Sequence, residues 1–591
     1  MAAPVRIANC SGFFGDRLAA AREQVEGGPI DVLTGDWLAE LTMLILARQR
    51  MKHGPGSGYA RTFLTQLEDV LGTCLERGIR IVSNAGGLDP QGCADAVSEL
   101  AARLGLQVTV ATVTGDDLMS RWDGLLAEGR TFTNPATGEP FSVLGMPALT
   151  ANAYLGGFGI AAALDGGADV VVTGRVTDAA LVVGPAAWWH GWSPADLDAL
   201  AGAVVAGHVI ECGAQATGGN YAFFTEVPGL DHVGFPVAEV AADGTSTITK
   251  HPGSGGLVSV GTVTAQLLYE ITGPEYANPD VSARFDTIVL TDDGPDRVRI
   301  SGVRGVPAPD TLKVAVNVLG GFRNSLTLLL TGLDLEAKAE LVERQLWAAV
   351  PGGRAAFDAV DVQLLRHDPA ADPSSEHAAQ AELRVTVKDR DPGTVGKAFT
   401  APVVELALAS VPGLYPSGPP AEASPYGVYW PTTIPADQVS QLVTIGGREP
   451  LILPHQGRQS ATSWHAGTPD AEGVDLEGPV VRAPLGAVFG ARSGDKGGDA
   501  NIGVWGRDAR AYRWLAGFLT RDRVHALLPE TRGCAVEVHR LPNLHAVNVV
   551  VHGLLGRGVA ENASIDPQGK ALGEYLRAKL VDLPAALVDQ R

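Results

Sequence analysis

The chain has 591 residues, 45% of them hydrophobic and 19% charged, with 45 Lys and Arg against 66 Asp and Glu for a formal charge of −21. This composition is that of a folded protein, and the length exceeds one core, so about three or four domains are expected. The acidic excess argues against nucleic acid or an anionic membrane surface as a partner, because both need clustered Lys and Arg, but it leaves room for a small anion in a local basic pocket.

No apolar run approaches the ~20 residues of a membrane span, and "MAAPVRIANC" lacks a leader pattern. The cysteines Cys10, Cys74, Cys93, Cys212 and Cys534 are odd in number and widely spaced, so no disulfide framework and a reducing cytoplasm are expected.

The first half alternates strand and helix signals. The strands "RIAN", "IDVL", "IRIV", "LQVTVAT" and "ADVVV" precede helical or loop segments. The segment "DPQGCADAVSELAARLG" has a full set of ends, with Asp89 as N-cap, Pro90 in the first turn and Gly105 after the last. Short apolar strands alternating with helices predict βαβ units and a buried parallel sheet over residues 1–300. From 301 to 455 the pattern of two strands, a helix, two strands and a helix predicts an α+β sandwich, with Gly320–Gly321 turning the first hairpin. Residues 456–479 read as linker, with a strand at "QLVTIGG" just before them. Residues 480–591 repeat the α+β plan.

In open parallel sheets ligands bind beyond the carboxyl ends of the strands. The turns there are small, polar and glycine-containing: "NCSGFFGD", "TGDW", "SNAGG", "TGDD" and "TGRVTDA". Any one of them is explained by turn and capping needs. Together they predict a binding face, with Ser11, Gly12, Asn84, Gly86, Gly87, Arg175 and Asp178 as its residues. Arg175 offers a planar donor fork for carboxylate or phosphate; a salt bridge to Asp178 is its structural alternative.

The next helix carries His208 and Cys212 four residues apart. They read either as an imidazole-activated thiolate or as core. Glu211 at the helix exit, beside "GAQATGGN" with Asn220, is a candidate general acid or base, with a solvated surface carboxylate as the alternative. "TKHPGSGG" adds Lys250 and His251 near an anion or in a wide turn. The phosphate-loop, zinc-protease and nucleophile-elbow signatures are absent, and "GFGIAA" does not clearly follow a strand, which disfavours P-loop, zinc and simple dinucleotide enzymes.

"ARSGDKGGDANIG" at 491–503 packs charge among glycines between apolar runs. Its length exceeds a hairpin turn of ~2–5 residues, so it reads as a functional loop. Ser493, Asp495, Lys496 and Asn501 would then reach the binding face, directly or across a subunit boundary, and its backbone N–H groups would form an anion nest.

"RIANCSGFFGDR", "SNAGGLDP", "TGRVTDAAL", "GHVIECGAQATGGN", "KHPGSGG" and "ARSGDKGGDANIGVW" together resemble the acyclic terpene utilisation protein A (AtuA) family, over nearly the whole chain. The resemblance implies a long N-terminal part to about 455 and a C-terminal ferredoxin-like domain from about 480. It also implies a setting in the catabolism of branched terpenoid acids as coenzyme A thioesters, beside acyl-CoA carboxylases and hydratases.

These readings converge on a cytoplasmic enzyme of lyase, hydratase or hydrolase type acting on a coenzyme A thioester or related anionic carboxylate, with no redox cofactor. Arg175 and Lys496 would hold the anion, Glu211 and His208 would move the proton, and Asp495 would orient Lys496. A non-catalytic carboxylase partner and a Cys212-dependent hydrolase are the alternatives. A magnesium ion on Asp16, Asp36 or Asp178 is left open, and a homo-oligomer is expected.

Overall fold

The computed structural model describes residues 3–54, 56–366, 373–454 and 478–588, so most of the expected linker, 456–477, lies outside the described residues. Two compact units emerge. The first comprises 1–317, 429–559 and 568–591; the second comprises 318–428 and 560–567.

The strands up to residue 250 are β1 (Val5–Asn9), β2 (Val32–Gly35), β3 (Arg80–Ser83), β4 (Val110–Thr114), β5 (Ala148–Ala153), β6 (Val170–Thr173), β7 (Pro236–Val240) and β8 (Ser246–Lys250). The segments with βα character form the parallel centre of one sheet in the order β1-β2-β3-β6-β4. Their burial explains their near-continuous apolar sequences. Antiparallel strands extend both sides: β7 beside β1 and β8 beside β7, and Ser440–Ile445, the expected "QLVTIGG" strand, beside β4.

The helix Pro90–Arg103 begins as its sequence requires. Asp89 Oδ1 accepts the Gly92 N–H at 3.0 Å, and Pro90 occupies the first turn. Cys93, Val97 and Leu100 of this helix pack with Leu67, Leu71 and Cys74 of the helix Arg61–Arg77 against the sheet. Among the described residues no helix is long and apolar enough to cross a membrane.

The segment expected as a hairpin at Gly320–Gly321 is instead one strand, Thr311–Thr331. A hairpin needs its two halves to pair with each other, and here they pair elsewhere. Before the glycines, the Lys313 carbonyl accepts the Tyr154 N–H and Asn317 bonds Thr150. After them, Phe322–Thr331 pairs with Gln380–Asp389. Gly321, at φ +132°, supplies a conformation that only glycine adopts readily. In the second unit Val342, Leu346, Val385 and Phe399 form the core between sheet and helices.

The C-terminal segment is an antiparallel sheet in the order Gly490–Lys496, Asp499–Trp505, Ala546–Val551, Val536–Leu541. The helices Ala509–Phe518, Arg521–Leu527 and Leu572–Ala578 accompany it. The helix Leu572–Ala578 stops where Leu580–Pro584 forms a strand against Val480–Pro484.

Replacing the N-cap, Asp89→Ala, is expected to lower stability by ~1 kcal/mol, read as a fall in the urea midpoint; an unchanged midpoint would show that the cap contributes nothing.

Candidate functional site

Residues 491–503 are not the long loop their glycines suggested. Gly490–Lys496 and Asp499–Trp505 pair through to Lys496↔Asp499, leaving only Gly497–Gly498 as the turn, with Gly497 at φ +67°. The two faces of the hairpin have different partners, as the period of two requires. Ala491, Ile502 and Val504 join the C-terminal core. Arg492, Gly494, Asn501 and Gly503 face the segment 268–270: a Cβ at Gly494 would strike the Tyr269 ring, and one at Gly503 would strike Leu268. The glycines are therefore docking surface, which explains a glycine-rich composition inside regular strands.

Asn501 Oδ1 accepts the Glu270 N–H at 2.8 Å, and its Nδ2 donates to the Leu268 carbonyl at 2.9 Å and to Asn548 Oδ1 at 2.5 Å. Asn548 Nδ2 donates in turn to the Ile271 carbonyl at 3.2 Å. This double clamp holds Glu270 at φ +57°, a left-handed conformation that is costly for a residue with a side chain. Glu270 was not anticipated; a single sequence shows nothing that separates it from other carboxylates. Arg492 reaches across to the Gln215 side-chain oxygen, with its guanidinium 4.4 Å from the Tyr269 ring centre. Ser493 accepts the Gly573 N–H at 2.8 Å and donates to the Lys570 carbonyl at 3.2 Å, so its contacts tie the hairpin to its own domain.

The helix Leu197–Ile210 supplies the opposite wall. Gly207 packs so closely on Ala179 that a Cβ there would overlap the backbone, which seats the helix beside the turn 173–179. His208 is buried against Tyr276 and Phe285, and its Nδ1 lies 3.4 Å from Glu211 Oε1. Burial, with the Lys496 charge nearby, pushes the imidazole down to about 4, so it is neutral at pH 7.

Glu211 is 8% exposed, with Oε2 lacking a hydrogen-bond partner. Burial, reinforced by Asp178 and Glu270, raises its carboxyl well above the usual range, and Lys496 and Arg175 oppose the rise. Cys212 falls beyond the helix end rather than on its stripe, with Sγ 4.0 Å from Glu211 Oε1. Burial and the adjacent carboxyls raise its thiol strongly, so the environment opposes a thiolate. Burial, together with Glu270 and Glu40, lifts Asp495 to about 7. Lys496 Nζ is 5.6 Å from the Tyr276 ring centre.

The βα turns close the base. A Cβ at Gly12 would overlap the backbone at Cys212 and Gly213, so this glycine serves close packing of the first turn on the 211–213 segment. Ser11 Oγ donates to the Asp36 carbonyl at 3.0 Å. Asn84 donates to Asp36 Oδ1 and accepts the Trp37 N–H. Gly86 abuts the Thr173 carbonyl, and Gly87 sits at φ +52°. Ser11, Asn84, Gly86 and Gly87 thus order the turns themselves.

Arg175 Nη1 donates to Asp178 Oδ1 at 2.7 Å, the salt bridge weighed as its structural alternative, and its guanidinium stacks 4.1 Å from the Tyr154 ring centre. Its Nε is buried without a hydrogen-bond partner. Asn220 is exposed, in a turn, at φ +57°. Lys250 is held by Asp296 and the Ser254 carbonyl, and His251 by the Gln24 carbonyl, which gives that segment a structural explanation. Among the described residues no group of three or more His, Cys, Asp or Glu is placed to hold a metal ion.

Two outcomes test this description. Asn501→Ala leaves a buried N–H and carbonyl of the 268–270 turn short of a partner, and is expected to lower stability by at least roughly 2 kcal/mol in thermal or urea melts. Asp116, whose Oδ2 accepts both Asn152 Nδ2 and the Arg175 N–H, is lifted by burial to about 7. The folded state therefore keeps a proton that the unfolded chain releases, and stability falls as pH rises from about 4 to 7. Asp116→Asn should flatten that fall, by on the order of a few kcal/mol; parallel melting-against-pH curves would refute it.

A family model described as acyclic terpene utilisation family protein AtuA matches residues 5–445, and one for the AtuA ferredoxin-like domain matches 483–582. The comparisons with curated proteins and with solved structures each gave no match.

Proposed function

The chain belongs to the AtuA family, with the family's ferredoxin-like domain at 483–582, and on that premise we propose that it is a cytoplasmic enzyme moving a proton on a small anionic acyl substrate. The substrate is a coenzyme A thioester or related carboxylate from branched-acid catabolism, and the reaction is addition, elimination or cleavage without a redox cofactor.

The observation that carries this reading is the Glu211 carboxyl. It is buried, one oxygen lacks a partner, and a neutral imidazole lies 3.4 Å from the other. A carboxyl raised by burial keeps its proton to higher pH than an exposed one and can return it, which suits general acid–base work. Neutral His208, with Nδ1 3.4 Å from Glu211 Oε1, can orient the protonated carboxyl while staying uncharged itself, because burial and the Lys496 charge oppose a second cation there. Negative charge that develops on a thioester oxygen when the neighbouring carbon is deprotonated needs a fixed positive partner. Lys496 meets that need, since its charge acts on Glu211, Glu270 and Glu40 together. Glu270 supplies a second proton carrier, as addition to and elimination from a double bond require. The raised thiol of Cys212 gives no support to covalent catalysis.

Turnover of a panel of acyl-CoAs tests the proposal. Glu211→Gln and Lys496→Ala should each reduce the rate by roughly 100-fold or more. Unchanged rates in both variants, or no turnover of any panel member by the wild type, would sink it.

A further inference from the structure

Tyr154 lies between two cations. The Arg175 guanidinium is 4.1 Å from its ring centre, and Lys313 Nζ is 4.6 Å from it. Lys313 Nζ is also 5.8 Å from the Tyr429 ring centre. Glu40 completes the niche, with Oε1 at 3.1 Å from Lys313 Nζ and 3.3 Å from the Tyr154 hydroxyl. The backbone bond from Tyr154 N–H to the Lys313 carbonyl sets the two side chains in register.

The donor capacity of this niche exceeds what the protein uses. An ammonium has three N–H donors; Glu40 takes one from Lys313 and the Tyr429 hydroxyl engages a second, which leaves one. Arg175 directs Nη1 to Asp178 and the Val176 carbonyl, while its Nε edge, nine-tenths buried and more, has no partner. Exposure grades outward: Arg175 is 2% exposed and Tyr154 5%, whereas the Lys313 side chain is 36% exposed. Aromatic faces hold the ammonium in place, and the buried guanidinium behind them adds positive potential. Burial works against the charge on Glu40, yet Lys313 and Arg175 outweigh it and hold that carboxyl well below its ordinary range. Glu40 also feels the Lys496 charge, so the niche and the hairpin are coupled electrostatically.

We propose that Lys313, backed by Tyr154 and Tyr429 and reinforced by Arg175, anchors a free carboxylate of the substrate remote from its reacting carbonyl, so the substrate class is an acyl compound bearing a second, unesterified carboxylate. The assignment of the reacting end rests on the proposed function; the carboxylate anchor stands separately.

Small probes separate the two. The monoamides of succinate and glutarate carry one carboxylate and one carbonyl, and the diamides carry none. Melting and calorimetric titration of the full chain should show at least one monoamide binding to the wild type and to Glu211→Gln alike, with the matching diamide at least tenfold weaker. Lys313→Met should lose tenfold or more in monoamide affinity, and Lys313→Arg should retain part of it. Should Lys313→Met fold poorly because Glu40 is left unpaired, Lys313→Met combined with Glu40→Gln restores the charge balance and must show the same loss. Binding that survives in that double variant, diamides that bind as tightly, or inorganic phosphate that binds more tightly than the monoamides would each overturn the anchor. A Glu211→Gln variant that keeps full turnover while monoamide binding still depends on Lys313 would overturn the proposed function alone.

Discussion

Asn501 and Asn548 stand on neighbouring strands of the ferredoxin-like sheet and bond the Leu268 carbonyl, the Glu270 N–H and the Ile271 carbonyl of a single turn. Buried amide groups must find partners, so this turn and this sheet face require each other. The close fit of Gly494 and Gly503 on Tyr269 and Leu268 leaves no room for a side chain between them. The position of Lys496 and Asp495 follows from that seating, because both ride on the same hairpin. The clamp also holds Glu270 in a backbone conformation it would not adopt alone.

Within the cluster, burial and charge act against each other and produce groups of different protonation. Glu211, Glu270 and Asp495 are pushed up, His208 is pushed down, and Glu40 is held ionised by its cations. Carboxyl groups whose surroundings drive them apart can take acid and base roles in one site. The basic groups divide in a similar way. Arg175 is paired with Asp178 and Lys313 with Glu40, while Arg492 meets a neutral amide oxygen.

Local chemistry was legible wherever neighbours in sequence decide the outcome. The Asp89–Pro90 helix start, the parallel-sheet strands and the turns after them were readable, because capping and strand burial depend on adjacent residues. The placement of His208 and Glu211 together follows from helical spacing of three residues. Gly320–Gly321 misled because a glycine pair signals a reversal only when its flanks pair with each other, and these flanks pair with different strands. The 491–503 segment misled for a related reason. A strand face dressed in Gly, Arg and Asn looks like a loop until its covering surface is known.

The sequence by itself determined the mixed α/β class, the family, the glycine turns at the sheet's carboxyl edge and the candidate acid Glu211, all set by contacts of short sequence separation or by motifs in fixed order. Only the tertiary structure decided that Glu270 and Lys496 act on the buried Glu211, that Lys313 lies over the Tyr154 ring, that Asn220 is an exposed turn residue, and that Cys212 is a raised thiol beside a buried carboxyl. Burial and through-space charge set those outcomes, and both come from residues distant along the chain, so no spacing rule along one strand or helix can reveal them.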